Sequence, residues 1–301
     1  MRKSLMLSLV CLLIILTAGF LWAADAPVTT APSGGEPEAS LTEINKKLTN
    51  PVSDLWSIAF QQNNYMLDMG AGQPDHWNSN LNFQPVLPVA LTSNWNLITR
   101  PVVTLFNSVP HPDPHNPTDI DRTTGFGDTV LMELVSPSPK LVGNWLLGVG
   151  PTFIFPTASS DYTGQGKYQV GPAVLVGYLS KKWILGALLQ NWTSFGGSGN
   201  QNVNQMNLQP IAAYFLPEGW SIGYSGNILA NWKADSAGDV WTIPLGLSVS
   251  KVLKVGKLPV RIALAGQYMV HHPDVGGQKW NIQLMVVPVI PKLIKGNLFG
   301  E

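Results

Sequence analysis

The residues best suited to bind a metal ion are five histidines, each close in sequence to an aspartate. They lie in the segments Asp75-His76, His111-Pro112-Asp113-Pro114-His115 and His271-His272-Pro273-Asp274. Imidazole and carboxylate groups together suit zinc and copper. None of these segments has the HExxH spacing of a zinc motif, and solvated turns also collect His, Asp and Pro. We therefore predict no metal site, with His111 and His115 as the weak candidates for one.

Serine is the other residue type that could carry out chemistry in this chain. A hydrolase needs a nucleophile, a base and an orienting group within reach of one another. Serines are frequent in the predicted strands described below, but no histidine lies in one. The segment Gly196-Gly197-Ser198-Gly199 has Asn200 where the GxSxG motif requires glycine. No P-loop or dinucleotide fingerprint is present, so we predict neither an enzyme nor a cofactor.

The composition favours a β-rich protein and is unlike that of an ordinary soluble protein. Only 12% of the 301 residues are charged, about half of the roughly 25% usual for soluble globular proteins. Lys+Arg and Asp+Glu number 18 each, so the chain lacks the basic surface that binds nucleic acid. The 29 Gly, 24 Pro and 11 Trp residues favour many short strands separated by turns.

The N-terminal segment predicts export. Two cationic residues precede a nearly unbroken apolar run over residues 5–22, and Ala23-Ala24 is a small-residue cleavage point. We predict a signal peptide over residues 1–24. The alternative, an uncleaved membrane anchor, stays open because the run approaches the ~20 residues that span a bilayer. The only cysteine, Cys11, lies in this segment, so the exported chain would contain no disulfide and no thiolate.

The remaining chain divides into a leader and a strand-rich region. Residues 25–50 predict a flexible periplasmic leader, with one short amphipathic helix over residues 39–49. Residues 51–301 predict about twelve strands that alternate between an apolar and a polar face, as Trp220 and Ile222 alternate with Ser221 and Gly223. The predicted strands are 55–66, 79–91, 96–106, 125–135, 145–155, 168–180, 183–195, 203–215, 220–232, 240–250, 259–270 and 280–289.

Two features favour a membrane barrel over a soluble barrel or sandwich, which is the alternative. The polar faces of the strands consist of Gly, Ala, Ser, Thr, Asn and Gln instead of the Lys and Glu that solubilise an exposed sheet. The connections alternate between short turns and longer polar loops, as they do in outer-membrane barrels. We therefore predict an all-β fold, an antiparallel up-and-down transmembrane β-barrel of about twelve strands in the outer membrane.

The tryptophans support the same fold because they fall near the strand ends, where a bilayer places indoles at its two interfaces. One predicted ring opens the upward strands and consists of Trp56, Trp95, Trp145, Trp183 and Trp220. The other ring lies beside the longer loops and consists of Trp77, Trp192, Trp232, Trp241 and Trp280.

Three ionisable residues, Arg100, Glu133 and Arg261, lie within predicted strands. An Arg or Lys side chain on the lipid face costs roughly 2–4 kcal/mol at mid-membrane, so we predict that all three residues point into the barrel. There they form either a selectivity constriction or pairs that tie the wall together. The other candidate pore-lining residues are neutral amides: Asn207, Gln209, Asn227, Gln267 and Gln283.

Several segments also resemble a known family along essentially the whole exported chain. They are Asn50-Pro51, SIAFQQNN at residues 57–64, Gly125-Phe126-Gly127-Asp128, Gly148-Val149-Gly150-Pro151, Phe155-Pro156-Thr157 and Tyr168-Gln169-Val170-Gly171-Pro172. The sequence resembles the outer-membrane transporters grouped with the phenol-degradation meta-pathway protein, some of which carry the label neuromedin U. This resemblance implies a Gram-negative barrel that passes hydrophobic or aromatic compounds, and it supplies no catalytic residues. The chain departs from the usual ending of such barrels, because it continues past Pro291 as KLIKGNLFGE instead of ending on a strand with a terminal aromatic.

Together these features predict a passive channel for small apolar or neutral solutes. Twelve strands enclose more space than an eight-stranded barrel and less than a sixteen-stranded porin, so we expect a narrow pore or a partly plugged lumen. The candidate plugs are the leader and the proline-rich loop 107–124. The alternative is a non-conducting barrel that serves as a scaffold or presents loops. The expected partners are the lipid bilayer, the outer-membrane assembly machinery and the solute; the sequence indicates no oligomeric state.

Overall fold

The computed structural model describes residues 40–116, 119–198 and 201–300. The predicted signal peptide, residues 1–24, and the first part of the leader lie outside these residues. The described chain contains two α-helices, α1 (Leu41–Thr49) and α2 (Pro139–Val142), and two single turns of 3-10 helix, Pro217–Gly219 and Ala237–Asp239. Within the described ranges, no helix is long and apolar enough to cross a membrane.

Strands make up most of the structure. Fourteen strand segments follow one another along the described chain. Their bounds are β1 (Ser57–Leu67), β2 (His76–Ala90), β3 (Trp95–Pro112), β4 (Ile120–Phe126), β5 (Thr129–Pro137), β6 (Trp145–Phe155), β7 (Lys167–Leu179), β8 (Trp183–Gly197), β9 (Asn204–Phe215), β10 (Trp220–Tyr224), β11 (Ile228–Asn231), β12 (Trp241–Val255), β13 (Leu258–His271) and β14 (Gln278–Pro288).

These segments form a closed wall of twelve strands. β4 and β5 pair with different halves of β3, so together they make one wall strand that is interrupted at residues 127–128. β10 and β11 likewise share β9 and β12 as neighbours and are interrupted at residues 225–227. Every wall strand is antiparallel to its neighbours in sequence, and β1 pairs with β14 to close the sheet. The predicted up-and-down barrel is therefore confirmed.

The largest error in the predicted strand bounds concerns β3 and β4. The sequence predicted a loop over residues 107–124, whereas the structure continues the hairpin to the pair formed by Pro112 and Ile120. Pro110 and Pro112 suggested a loop because proline cannot donate to a ladder, but a hairpin that extends beyond its neighbours tolerates proline on its free edge. Only residues 113–119 connect the two strands, so this segment is not the long plug that we expected.

The two ends of the barrel differ in their connections. At one end, which we call the turn rim, the strands are joined by residues 91–94, 138–144, 180–182, 216–219 and 256–257. At the other end, the loop rim, the connections are residues 68–75, 113–119, 156–166, 198–203, 232–240 and 272–277. This arrangement has the alternation of short and long connections found in outer-membrane barrels.

Helix α1 is docked at the turn rim. Its N-cap is Ser40, whose Oγ accepts a hydrogen bond from the amide of Glu43 at 3.2 Å. The buried Asn45 side chain donates to the carbonyl of Gly219 at 2.9 Å, and the amide of Gly219 donates to Thr42 Oγ1 at 3.1 Å. The short helix predicted within the leader is therefore present over residues 41–49, and it is held against the turn between β9 and β10.

The apolar residues divide between two surfaces of the wall. Leu245 and Leu247 on β12 point outward and are 68% and 61% exposed. A second group points inward, is buried, and forms one cluster on the side of the lumen bounded by β3 and β5 to β9. Its members are Ile98, Met132, Leu134, Leu146, Ala173, Leu175, Ile184, Leu188, Ile211 and Phe215. Val52, which lies between α1 and β1, packs against this cluster, so the main core of the protein lies inside the barrel.

Candidate solute pathway through the barrel

Arg100 crosses the lumen. It shares the inward face of β3 with the fully buried Ile98, because residues two apart on a strand point to the same side. Its guanidinium donates to Gln84 Oε1 on the adjacent β2 at 3.0 Å and to Gln209 Oε1 on β9 at 3.5 Å. β9 lies five wall positions from β3 in a ring of twelve, so the second hydrogen bond joins nearly opposite walls. Arg100 and Gln209 thus form a polar contact across the lumen.

Arg261 also points inward, but it has a different partner. Its Nε donates to Ser250 Oγ at 3.1 Å, and Ser250 hydrogen-bonds Ser221 at 2.7 Å. Among the described residues, neither Arg100 nor Arg261 forms an ion pair. Both guanidinium groups instead donate to neutral oxygens.

The prediction that Glu133 points inward is wrong. Glu133 lies between Met132 and Leu134, which are both buried in the lumen cluster, so its side chain projects from the opposite face of β5. There it accepts a hydrogen bond from Thr99 Oγ1 at 2.7 Å. The argument from lipid cost failed because the local alternation of β5 determines the direction of this side chain, and a neighbouring hydroxyl partly compensates the carboxylate.

Two of the predicted amides meet in one hydrogen-bonded group near β13 and β14. Gln267 Nε2 donates to Gln283 Oε1 at 3.2 Å and to Ser225 Oγ at 2.9 Å. Ser225 donates to Gln283 at 3.1 Å, and Asn281 donates to Gln267 Oε1 at 3.3 Å. Ser225 lies in the interruption between β10 and β11, so this group ties the irregular part of the wall to two regular strands.

A third polar group was missed by the sequence argument. Thr152 on β6 is fully buried, and its Oγ1 accepts hydrogen bonds from Gln190 Nε2 at 2.9 Å and from Trp192 Nε1 at 3.1 Å. Gln190 and Trp192 share the inward face of β8 with the lumen residue Leu188. The alternation of β8 would have placed Trp192 inside, but its position near a strand end suggested the membrane interface instead.

The other tryptophans divide between the two rims, with one more exception. Trp95, Trp145, Trp183 and Trp220 begin strands at the turn rim and are 44%, 53%, 37% and 40% exposed. At the loop rim, Trp77 stacks edge-on against Trp280, and Trp232 stacks edge-on against Trp241. Trp56 is buried, and its Nε1 donates to the carbonyl of Pro88 at 2.7 Å. We predicted that Trp56 and Trp192 lie at the membrane interface, and both predictions are wrong.

A cavity of about 580 Å³ opens beside this pathway at the loop rim. It lies between β9, β11, β12 and the nearby loops, and its lining includes Trp192, Asn207, Leu229 and Thr242. Asn207 Oδ1 is buried and has no hydrogen-bond partner among the described residues. Asn227, the remaining predicted lining residue, is exposed in the interruption between β10 and β11 and is not part of a strand.

The charged residues of the loop rim lie in two places: Asp235, Asp239 and Asp274 line the cavity beside Asn207, and a second group forms a tether. Lys279 Nζ lies 3.1 Å from Asp68 Oδ2 and 2.8 Å from Asp75 Oδ1, which tethers the loop 68–75 to the start of β14. The amide of Gly70 donates to Asp68 at 3.0 Å. This hydrogen bond and the one from Lys279 hold the pKa of Asp68 below its ordinary value.

The histidines do not come together as a metal site. His111 stacks on Tyr162 with ring centroids 3.6 Å apart, and its Nε2 hydrogen-bonds Thr123 at 2.8 Å. His115 is exposed in the connection from β3 to β4. In the described part of the chain, no three His, Cys, Asp or Glu side chains are placed to hold one ion.

Comparisons with known proteins agree with this architecture. An outer membrane channel from Pseudomonas putida F1 aligns with 14% sequence identity and a TM-score of 0.55, covering 87% of this chain and 100% of the other. The transport unit of the autotransporter AIDA-I from Escherichia coli aligns with 10% identity and a TM-score of 0.44, over 85% of this chain and 100% of that chain. No family model matches the sequence, and neither does any curated protein. The likeness to the Pseudomonas putida channel shows that the chain has the fold of an outer-membrane β-barrel.

Proposed function

We propose that this protein is an outer-membrane channel for the passive uptake of small neutral, hydrophobic or aromatic compounds. The observation that carries the proposal is the contrast between the two sides of one closed wall. Outward residues such as Leu245 and Leu247 are apolar and exposed, which suits lipid, and a closed sheet leaves no unpaired edge in the bilayer. Inside, Arg100 and Gln209 meet in a lumen whose other polar groups are mostly amides and hydroxyls.

The orientation follows from the connections. In outer-membrane barrels the short turns face the periplasm and the longer loops face outward, so the turn rim is assigned to the periplasm. The predicted signal peptide, residues 1–24, supplies the route of export, and the assembly machinery would insert the barrel. This orientation places the 580 Å³ cavity at the external entrance.

The lining supports the solute class. The cavity volume falls within the range of about 300–1,000 Å³ that accommodates small organic molecules. Trp192 and Leu229 offer apolar contact, and Asn207 and Thr242 offer neutral hydrogen-bonding groups. Asp235, Asp239 and Asp274 add carboxylates where the cavity meets the loops. The hydrophobic or aromatic compounds implied by the family resemblance fit the apolar part of this lining. The proposal assigns no catalytic step to any residue.

A second candidate function is a non-conducting barrel that presents its loops. It is supported by the apolar cluster, in which Ile98, Leu134 and Leu175 have no exposed surface although they face the lumen. Helix α1 covers part of the turn rim in addition. The two candidates differ in whether solute passes the level of Arg100.

Swelling of liposomes that contain the full exported chain distinguishes them. We expect small uncharged aromatic alcohols and sugars to enter faster than into protein-free liposomes. Arg100→Ala should accelerate entry because it removes the side chain that bridges the lumen, and Lys251→Ala, which alters an outward side chain beside Trp220, should leave the rate unchanged. Protease protection establishes that each variant is inserted. If solute then enters neither the Arg100→Ala liposomes nor the Lys251→Ala liposomes, the channel hypothesis is overturned and the loop-presenting barrel is favoured.

A further inference from the structure

The outward surface of the barrel is not uniformly apolar. Polar side chains on the lipid side are concentrated on four adjacent wall strands, formed by β1, β2, β3 and β5. We call this surface the polar sector; its outward polar residues are Gln62, Asn64, Ser79, Thr99, Asn107 and Glu133. Elsewhere, outward polar groups lie beside the rim tryptophans. Asn191 on β8 accepts a hydrogen bond from Trp232 Nε1 at 2.8 Å and donates to Asn204 on β9 at 3.2 Å, and Lys251 Nζ lies 4.6 Å from the Trp220 ring.

The register establishes that these side chains point outward. Gln61 and Asn63 belong to the lumen, because Gln61 accepts a hydrogen bond from Gln84, the partner of Arg100, and Asn63 is buried beside Asn281. Gln62 and Asn64 alternate with them on β1 and therefore face away from the lumen.

Four residues of the polar sector form a hydrogen-bonded cluster. Ser79 Oγ accepts from Gln62 Nε2 at 2.8 Å and donates to Asn64 Oδ1 at 3.1 Å. Asn107 Nδ2 reaches Gln62 Oε1 at 3.4 Å and Ser79 Oγ at 3.3 Å. Asn64 Nδ2 has no acceptor among the described residues, so the cluster retains an unused donor on its outer side.

The cluster and Glu133 lie within the depth of the hydrocarbon layer. Gln62 is four residues from Met66, which pairs with both Trp77 and Trp280 at the loop rim. Strand residues rise about 3.3 Å each and barrel strands tilt by roughly 35–45°, so four residues correspond to ~10 Å along the membrane normal. Glu133 is likewise four residues from Pro137, the partner of Trp95 at the turn rim. The apolar band of such a barrel is only about 25 Å tall.

Lipid is a poor neighbour for these groups. Acyl chains neither donate nor accept hydrogen bonds, and an uncompensated carboxylate or amide in hydrocarbon is costly. Thr99 supplies one hydrogen bond to Glu133, and the outer faces of β12 and β13 are apolar by comparison: Leu247 and Leu264 are 61% and 58% exposed. A protein partner with polar groups at the same depth would supply the hydrogen bonds that lipid cannot.

We propose that the polar sector is an interface with a second copy of this chain in the membrane. Amides and hydroxyls carry donors and acceptors together, so a surface built from them can pair with itself. A two-fold axis along the membrane normal between β2 and β3 brings β1 of one copy toward β5 of the other. Ser79 and Asn107 lie on the two strands next to this axis, so the hydrogen-bonded cluster of one copy faces the cluster of the other at the same depth. Two-fold pairing repeats this contact, and it is the commonest symmetry of homo-oligomers.

Cysteine cross-linking in membranes tests the proposal, because Cys11 is the only native cysteine. In a Cys11→Ser background, Ser79→Cys lies near the proposed axis, and Leu247→Cys is the matched control on the apolar outer face of β12. We expect a short bis-maleimide to link Ser79→Cys into a dimer of this chain and to leave Leu247→Cys monomeric. In mild detergent, the double variant Gln62→Leu/Asn64→Leu should sediment as a monomer while the parent chain sediments as a dimer.

Three results would overturn the proposal. If Ser79→Cys gives no dimer and reacts with a lipid-soluble maleimide as fully as Leu247→Cys, the sector faces lipid. If it gives no dimer but is protected from that reagent, another molecule such as lipopolysaccharide covers it. A cross-linked product of a mass other than two chains would assign the sector to a different protein.

Discussion

The guanidinium of Arg100 and the side-chain oxygen of Gln209 lie 3.5 Å apart, although the two residues belong to nearly opposite walls of the barrel. One long side chain therefore spans the lumen at this level. Beside it, the buried apolar cluster fills the half of the lumen bounded by β3 and β5 to β9. Part of the interior is thus packed like the core of a soluble protein. This packing should contribute to the free energy of unfolding.

Truncating the lumen cluster should destabilise the barrel. Leu134 has no exposed surface, so Leu134→Ala is expected to lower the free energy of unfolding by about 2–5 kcal/mol. Reversible unfolding in denaturant, with lipid vesicles present, measures this loss. Leu247→Ala removes the same atoms from a side chain that is 61% exposed toward lipid, and it should lose less. Equal losses for the two variants would argue against a packed lumen.

The rim tryptophans should be distinguishable from the internal ones by their contact with lipid. Brominated acyl chains quench indole fluorescence at short range, so they should quench Trp145, which is 53% exposed on the outward side. Trp192 is 5% exposed inside the barrel and should escape quenching. Trp145→Phe is therefore expected to reduce the quenchable fraction of the emission, whereas Trp192→Phe should raise it. The reverse result would place Trp192 at the lipid surface.

The docking of α1 should depend on Gly219. This glycine has φ +79°, and a Cβ added to it would lie 2.9 Å from Leu41 Cβ on α1. We expect Gly219→Ala to displace the helix, which would be detected as faster tryptic cleavage at Lys46 and Lys47. Gly256→Ala is the control, because Gly256 has a similar φ of +61° but no atom near its missing Cβ. Both variants share the left-handed strain of about 1–2 kcal/mol, so they differ in the contacts of the added Cβ with Leu41 and with the Val252 carbonyl, which would lie 3.1 Å away.

The tether at the loop rim should depend on pH. Since the hydrogen bonds from Gly70 and Lys279 lower the pKa of Asp68, the tether is complete above the ordinary aspartate pKa of about 3.9. It is lost as the pH falls through the lowered value. Lys279→Met should move the pKa of Asp68 upward in an NMR titration, while Lys292→Met at the turn rim should leave it in place. An unchanged Asp68 titration in Lys279→Met would show that the amide of Gly70 alone accounts for the shift.

The regular part of the wall could be predicted from the sequence because period-two alternation and turn residues recur throughout it. The predicted bounds 145–155 coincide with β6, and Arg100 and Gln209 were assigned to the lumen on the correct faces. Alternation is informative in these strands because an apolar outward residue follows each inward one.

The direction of a side chain could not be predicted where apolar and polar residues do not alternate. The location of a tryptophan could not be predicted where both the membrane interface and the protein interior suit it. The run Gln61-Gln62-Asn63-Asn64 is polar at every position, so its outward half could be recognised only from the observed register. Trp56 and Trp192 find hydrogen-bond acceptors inside the protein, which is as suitable for an indole as the membrane interface. The apolar cluster was missed because a barrel pattern does not tell a filled lumen from an open one.

Single-channel current through the refolded chain in a planar bilayer tests the central claim most directly. We predict discrete, small current steps for the parent protein and larger steps for Arg100→Ala, because that variant removes the side chain that joins β3 to β9. Lys251→Ala should keep the parental step size. An absence of steps in the parent and in Arg100→Ala, with insertion established by protease protection, would contradict a conducting lumen.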